Sequence, residues 1–112
     1  MNFGKKRYQF MGSQAIRQKL ASGQAVTNGC THLGEIQDVS PSADGCEDCL
    51  KMGDRWVHLR ICLICGYAGC CDNSKNKHAT KHNHQTGHPL IQSLEPGETW
   101  LWCYTDQALI AL

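Results

Sequence analysis

The run Cys62-Leu63-Ile64-Cys65-Gly66-Tyr67-Ala68-Gly69-Cys70-Cys71 is followed by His78, His82 and, beyond Gly87, His88. Two thiols separated by two residues let one tight turn aim both at a single ion, and zinc takes four N or S donors in a tetrahedron. Gly66 directly follows the second thiol, where such a turn often needs a positive φ that glycine adopts without steric cost. His78 and His82 are four apart and therefore share one face of a helix. The pattern reads as metal binding.

Working outward, the same chemistry recurs. Cys46-Glu47-Asp48-Cys49 is a second two-residue pair, and Cys30-Thr31-His32 presents two donor types on one side of an extended segment. The chain has 112 residues, eight cysteines and six histidines, and only 7% aromatic residues. A domain this small, without a large apolar core, needs disulfides or metals to fold. The basic start Met1-Asn2-Phe3-Gly4-Lys5-Lys6-Arg7-Tyr8 is not followed by the apolar stretch of a secretory signal. The expectation is therefore reduced thiols, a cytoplasmic location, and metal in preference to disulfides. No run approaches the length of a membrane span, so no membrane partner is expected.

Charge divides the chain. Residues 1–29 carry Lys5, Lys6, Arg7, Arg17 and Lys19 with no acid, whereas six Lys/Arg against ten Asp/Glu follow. An acidic remainder argues against a nucleic-acid-binding finger, which carries a basic face. The expected organisation is a basic N-terminal arm over 1–29 and a zinc-stabilised domain over 30–112. In the arm, Ser13 is expected to cap a short helix over 14–21, with Gly23 as its stop and 22–29 as linker.

Within the domain, 35–39 reads as a short strand and 55–63 as a clearer one, with Val57, Leu59 and Ile61 alternating with Trp56, His58 and Arg60. Asp72, Asn73 and Ser74 supply caps for a helix over 75–86 that stops at Gly87. A hairpin follows, from 89–94 through Glu95-Pro96-Gly97-Glu98 to 99–104. On its returning strand Trp100, Trp102 and Tyr104 share a face, opposite Leu101 and Cys103.

From Cys30 to Asp106 these residues resemble the UBP-type zinc finger, the ubiquitin-binding finger of deubiquitinating enzymes and of a histone deacetylase. The matching order is Cys-x-His at 30 and 32, Cys-x-x-Cys at 46 and 49, and Cys-x-x-Cys-x4-Cys at 62, 65 and 70. His-x3-His-x5-His at 78, 82 and 88 follows, then Trp102-Cys103-Tyr104. The resemblance implies an α+β fold, a twisted antiparallel sheet packed on one central helix, holding two or three zinc ions, with three favoured. Carried over by position, one site is Cys46, Cys49, Cys70 and His78, and a second is Cys62, Cys65, His82 and His88. A third is Cys30, His32 and Cys103, with Asp106 where three-zinc members carry a cysteine; carboxylate oxygen also binds zinc. Cys71, His58 and His84 are left over, and either Cys70 or Cys71 is able to face the metal, with the family register preferring Cys70.

The resemblance also implies a partner: a free C-terminal peptide tail, held between aromatic rings with an arginine on its carboxylate. Trp102 and Tyr104 match the pocket aromatics. The family's tryptophan before Ile61-Cys62 is Arg60 here, its carboxylate arginine and the tyrosine after it are Asp72 and Asn73, and a further pocket tyrosine is Leu109. An aspartate repels an anionic tail, which argues against standard capture of the ubiquitin Gly-Gly terminus. Arg60 is a substitute anchor and Trp56 a candidate replacement ring. The leading expectation is a zinc module, not an enzyme, that binds a partner through Arg60, Trp102, Tyr104 and Trp56. The alternatives are redox or zinc-dependent chemistry at Cys71 or Asp106, and a nucleic-acid module using the basic arm. Cross-brace RING spacing does not fit the long interval between the Cys46 and Cys62 pairs.

Overall fold

The computed structural model describes residues 8–112, so Lys5, Lys6 and Arg7 of the expected basic arm lie outside the described residues. Five short strands form one antiparallel sheet: β1 (Leu59–Cys62), β2 (Ala68–Cys70), β3 (Leu90–Ser93), β4 (Trp100–Cys103) and β5 (Ala108–Ala111), in the order β2-β1-β3-β4-β5. Three helices accompany it: α1 (Ser13–Ala21), α2 (Glu47–Met52) and α3 (His78–Thr86). α3 packs against β2 and β1, and α2 against β2.

Two glycines make the metal-side packing possible. Gly66 has φ 86°, and a Cβ there would sit 2.4 Å from the Ser40 carbonyl oxygen, so only glycine closes the turn after Cys65. Gly69, in β2, lies so close to α3 that a Cβ would approach the Ala79 backbone nitrogen to 2.8 Å. The missing side chain lets helix and strand meet at backbone distance.

The core is aliphatic and small. Leu59, Ile61, Leu63, Leu90, Leu94, Leu101, Ile110 and Ile16 are essentially withdrawn from water. Each contributes roughly 1.5–3 kcal/mol, against an ordering entropy of about 1–2 kcal/mol per residue for the backbone alone. A core of this size suits a fold that gains further stability from crosslinks. Ile16 brings α1 into that core, and Arg17 ties the helix down with bonds to Asp38 (2.6 Å) and the Ile36 carbonyl (2.9 Å).

Several local expectations are corrected. Ser13 is not the cap of α1 but its first residue, and its hydroxyl accepts the Val39 N–H; Gly12 occupies the cap position with no side-chain bond. The strand expected over 35–39 is a single 3₁₀ turn at Leu33–Glu35 followed by chain bonded to Leu63 through the Gln37 N–H. β1 starts only at Leu59, because the Val57 N–H is taken by the Ser74 hydroxyl and the Val57 side chain faces water. α3 begins at His78 rather than 75, and Asp72, Asn73 and Ser74 do not cap it; Lys77 precedes it in the left-handed region, φ 49°. That conformation is uncommon for a non-glycine residue. It accompanies two bonds to sulfur, from the Asn76 amide to Cys49 Sγ (3.5 Å) and from the His78 N–H to Cys70 Sγ (3.2 Å).

β5 has no counterpart in the sequence reading. Its outer edge is covered by the chain at Val26, which exchanges two backbone bonds with Ala111 (2.8 and 2.9 Å), while the Asn28 amide donates to the Leu109 carbonyl. The cover removes an otherwise unpaired sheet edge.

Candidate metal centres

The twelve residues expected as donors meet in three groups of four, the donor atoms of each group lying within 4.8 Å of one another. A tetrahedron with zinc bonds of about 2.0–2.3 Å has edges of about 3.3–3.8 Å, and the clusters fall close to that scale. In the first, His78 Nδ1 lies 3.2, 3.4 and 3.7 Å from the sulfurs of Cys46, Cys49 and Cys70. In the second, Cys65 Sγ is 3.2 Å from His82 Nε2, Cys62 Sγ is 3.5 Å from His88 Nδ1, and the two nitrogens are 3.3 Å apart. In the third, His32 Nδ1 is 3.5 Å from Cys103 Sγ and 2.9 Å from Asp106 Oδ2. Cys70, not Cys71, faces the first cluster; the Cys71 sulfur turns instead to the Ser74 hydroxyl, 3.5 Å away. Both unassigned histidines stay outside the clusters, and His84 is exposed.

The electrostatics favour a cation. Burial pushes the Cys46 thiol up to about 12 and the Cys62 thiol up to about 11, and it raises Cys49 and Cys103 as well. Without an ion, these sulfurs would keep their protons and crowd one another without compensation. A dication turns the same crowding into coordination. Burial, and then His88, lower His82, which keeps its imidazole neutral as a ligand must be.

Residues beyond the donors hold them in place, and these escaped the sequence reading. Tyr67 stacks on the His82 ring (4.4 Å between centroids, 16° between planes), and its hydroxyl donates to Asp48, which sits between Cys46 and Cys49. One side chain therefore spans the first and second clusters. Thr31 gives Asp106 Oδ2 its backbone N–H (2.7 Å) and its hydroxyl (2.9 Å), and these bonds hold the Asp106 carboxyl below the usual carboxylate range. No spacing rule signals a contact between residues so far apart in the chain.

The sheet also carries an aromatic cavity of about 270 Å³. Strand register explains it: Trp102 pairs with Ile91 on β3 and with Leu109 on β5, and Arg60 pairs with Ser93, so these residues line up across one face. Trp100, Trp102 and Tyr104 are half-buried around it, while Leu101 and Cys103 point into the core. Arg60 lies over the Trp100 ring, 4.6 Å from its centroid, and donates to Ser93 Oγ at 3.0 Å. Trp56 does not join this cavity: its indole N–H donates to the Tyr8 hydroxyl and its ring covers Gly45.

A small α+β sheet whose loops gather Cys/His donors in tetrahedral sets is a zinc-stabilised finger. Residues 46–111 match the family described as the Zn-finger in ubiquitin-hydrolases and other proteins, and the chain belongs to that family. Ubiquitin carboxyl-terminal hydrolase 44 of Ailuropoda melanoleuca is 31% identical over 81 residues, covering 67% of this chain and 10% of that protein. Ubiquitin carboxyl-terminal hydrolase 45 of Homo sapiens is 34% identical over 74 residues, covering 53% of this chain and 8% of that one. The chain thus spans at most a tenth of the length of these relatives. The solution NMR structure of protein RPA1320 from Rhodopseudomonas palustris is similar with a TM-score of 0.71 and 56% identity, covering 78% of this chain and 85% of that one. The protein is a zinc-binding module. Among the described residues no helix is long and apolar enough to cross a membrane.

Proposed function

We propose that this chain is a non-catalytic interaction module in which three zinc ions hold a sheet that offers its aromatic cavity to a peptide segment of a partner protein. The observation that carries the reading is the cavity itself: Trp100, Trp102 and Tyr104 stand half-exposed around about 270 Å³ on one sheet face. Exposed apolar surface of this kind marks partner sites, and flat rings suit a backbone strand with small side chains. Each donor set fills a tetrahedron from protein alone, which fits ions that crosslink the fold; catalytic zinc keeps an open position. Eight reduced thiols suit a reducing compartment such as the cytoplasm.

The test is a two-dimensional NMR titration of the zinc-loaded chain with short peptides, alongside native mass spectrometry. Shifts concentrated on β4 and β1, and a mass three zinc ions above the apo chain, are the expected results. Peptides that move no resonance of Trp100 or Trp102 would overturn the binding face, and a saturating stoichiometry of two would overturn the third ion.

A further inference from the structure

We propose that the cavity selects a cationic side chain, a lysine ammonium on an internal peptide segment, and turns away a free C-terminal carboxylate. This deepens the peptide-binding reading above and rests on it.

Arg60 is the only cation among the described lining residues, and one of its terminal nitrogens is already engaged. Its side chain is 11% exposed, it lies on the Trp100 face, and NH1 donates to Ser93 Oγ and to the Leu59 carbonyl. Glu98 reaches to 3.7 Å from the same guanidinium and accepts the Ser93 hydroxyl at 2.5 Å. Glu98 thus offsets part of the Arg60 charge. An arriving carboxylate would share Arg60 with Glu98 and gain correspondingly less from it.

Asp72 is the charge left over. It lines the cavity from the exposed side, and the Thr80 hydroxyl donates to its Oδ1 at 2.5 Å. The Tyr104 hydroxyl lies 3.2 Å from that Thr80 oxygen, whose own proton is given to Asp72, so Tyr104 is the donor and a relay fixes the carboxylate beside the ring. Oδ2 has no partner among the described residues. No described cation covers the faces of Trp102 or Tyr104, since the single cation on an aromatic face is Arg60 on Trp100. Ring faces beside a fixed, half-satisfied carboxylate are what an ammonium requires: the rings attract it through their quadrupole, and Asp72 supplies the counter-charge. The charge balance of residues 30–112, six Lys/Arg against ten Asp/Glu, draws the same class of partner at longer range.

The experiment uses three pentapeptides, N-acetylated and C-amidated, with glycine at four positions and lysine, norleucine or glutamate at the centre. Each is titrated into the zinc-loaded chain at low salt and followed by tryptophan fluorescence and NMR. The lysine peptide should bind about fivefold tighter than its norleucine isostere, with glutamate weakest. A norleucine-capped glycine peptide with a free C-terminal carboxylate should bind no better than its amide. Asp72→Asn, with zinc content checked, should bring lysine and norleucine within about twofold of each other, and Asp72→Arg should reverse the order of lysine and glutamate. Equal shifts at Trp102 from all three peptides would leave the peptide face standing and overturn cation selection. So would tighter binding of glutamate or of the free carboxylate. Silence from every peptide would overturn both readings, and the salt dependence of the wild-type lysine preference tests the charge even where a variant loses metal.

Discussion

The first and third donor clusters contain the same number of protein donors but differ in what surrounds them. Cys46, Cys49 and Cys70 are buried, and their sulfurs accept N–H bonds from the Asn76 amide and the His78 backbone. Cys30 and His32 are only partly covered, and Asp106, in place of a third thiol, is exposed and held from one side by Thr31. The first cluster ties α2, β2 and α3 together; the third ties a loop before the sheet to the turn between β4 and β5. Donor count alone therefore does not rank sites. The third cluster's sulfurs also accept N–H bonds, from the His32 and Asp106 backbone, so burial and the identity of the fourth donor are what would separate an ion built into the fold from one that can be exchanged.

The largest effect should come from the first cluster. Cys70→Ser removes one thiolate from a structural site that contributes on the order of 10 kcal/mol, so the amide spectrum should collapse and zinc content should fall. A dispersed spectrum at full zinc loading would break the contrast at its strong end. At the other end, Asp106→Ala should cost one ion by native mass spectrometry and leave the sheet resonances in place. Should that variant unfold instead, the third cluster belongs to the core after all.

Acid sharpens the same contrast. Bound zinc needs thiolates and neutral imidazoles, so the loaded protein carries fewer protons than the empty one, and affinity rises with pH and falls as pH drops. Because burial pushes Cys46 up to about 12, zinc must expel its proton at neutral pH, whereas Asp106 sits below the usual carboxylate range and is already ionised. Zinc occupancy should thus fall more steeply with acidity at the first cluster, which has three thiols, than at the third, which has two. Site-resolved NMR during an acid titration reads both slopes; equal slopes would overturn the contrast in thiol count.

The smallest predicted effect lies beyond the donors. Asn76→Ala deletes the amide bond to Cys49 and should weaken the first ion about tenfold, measured by competition with a chromogenic chelator. Thr31→Val removes only the hydroxyl bond to Asp106 and keeps the backbone N–H, so its effect on the third ion should be smaller still.

The aromatic cavity repeats the lesson in another currency. Arg60, Trp102 and Tyr104 were visible in the chain as an alternating face, but nothing local said that Glu98 would come within 3.7 Å of Arg60 or that Trp56 would turn away to Tyr8. α3 was visible by its histidine spacing, yet it starts at His78, and the Asn76 side chain before it bonds to the Cys49 sulfur instead of capping the helix.

What the amino-acid order determined unaided was local: two-residue thiol gaps, histidines one helical turn apart, Gly66 where the turn needs φ 86°, and the alternation along β4. Such features depend on backbone geometry within a few residues, and that geometry is the same wherever the segment lies. Only the tertiary structure decided that β5 closes the sheet, that Trp56 turns away from the cavity to Tyr8, and that Thr31 braces Asp106 from 75 positions away. Those outcomes follow from strand register and from which surfaces must leave water together, and both are properties of the assembled chain.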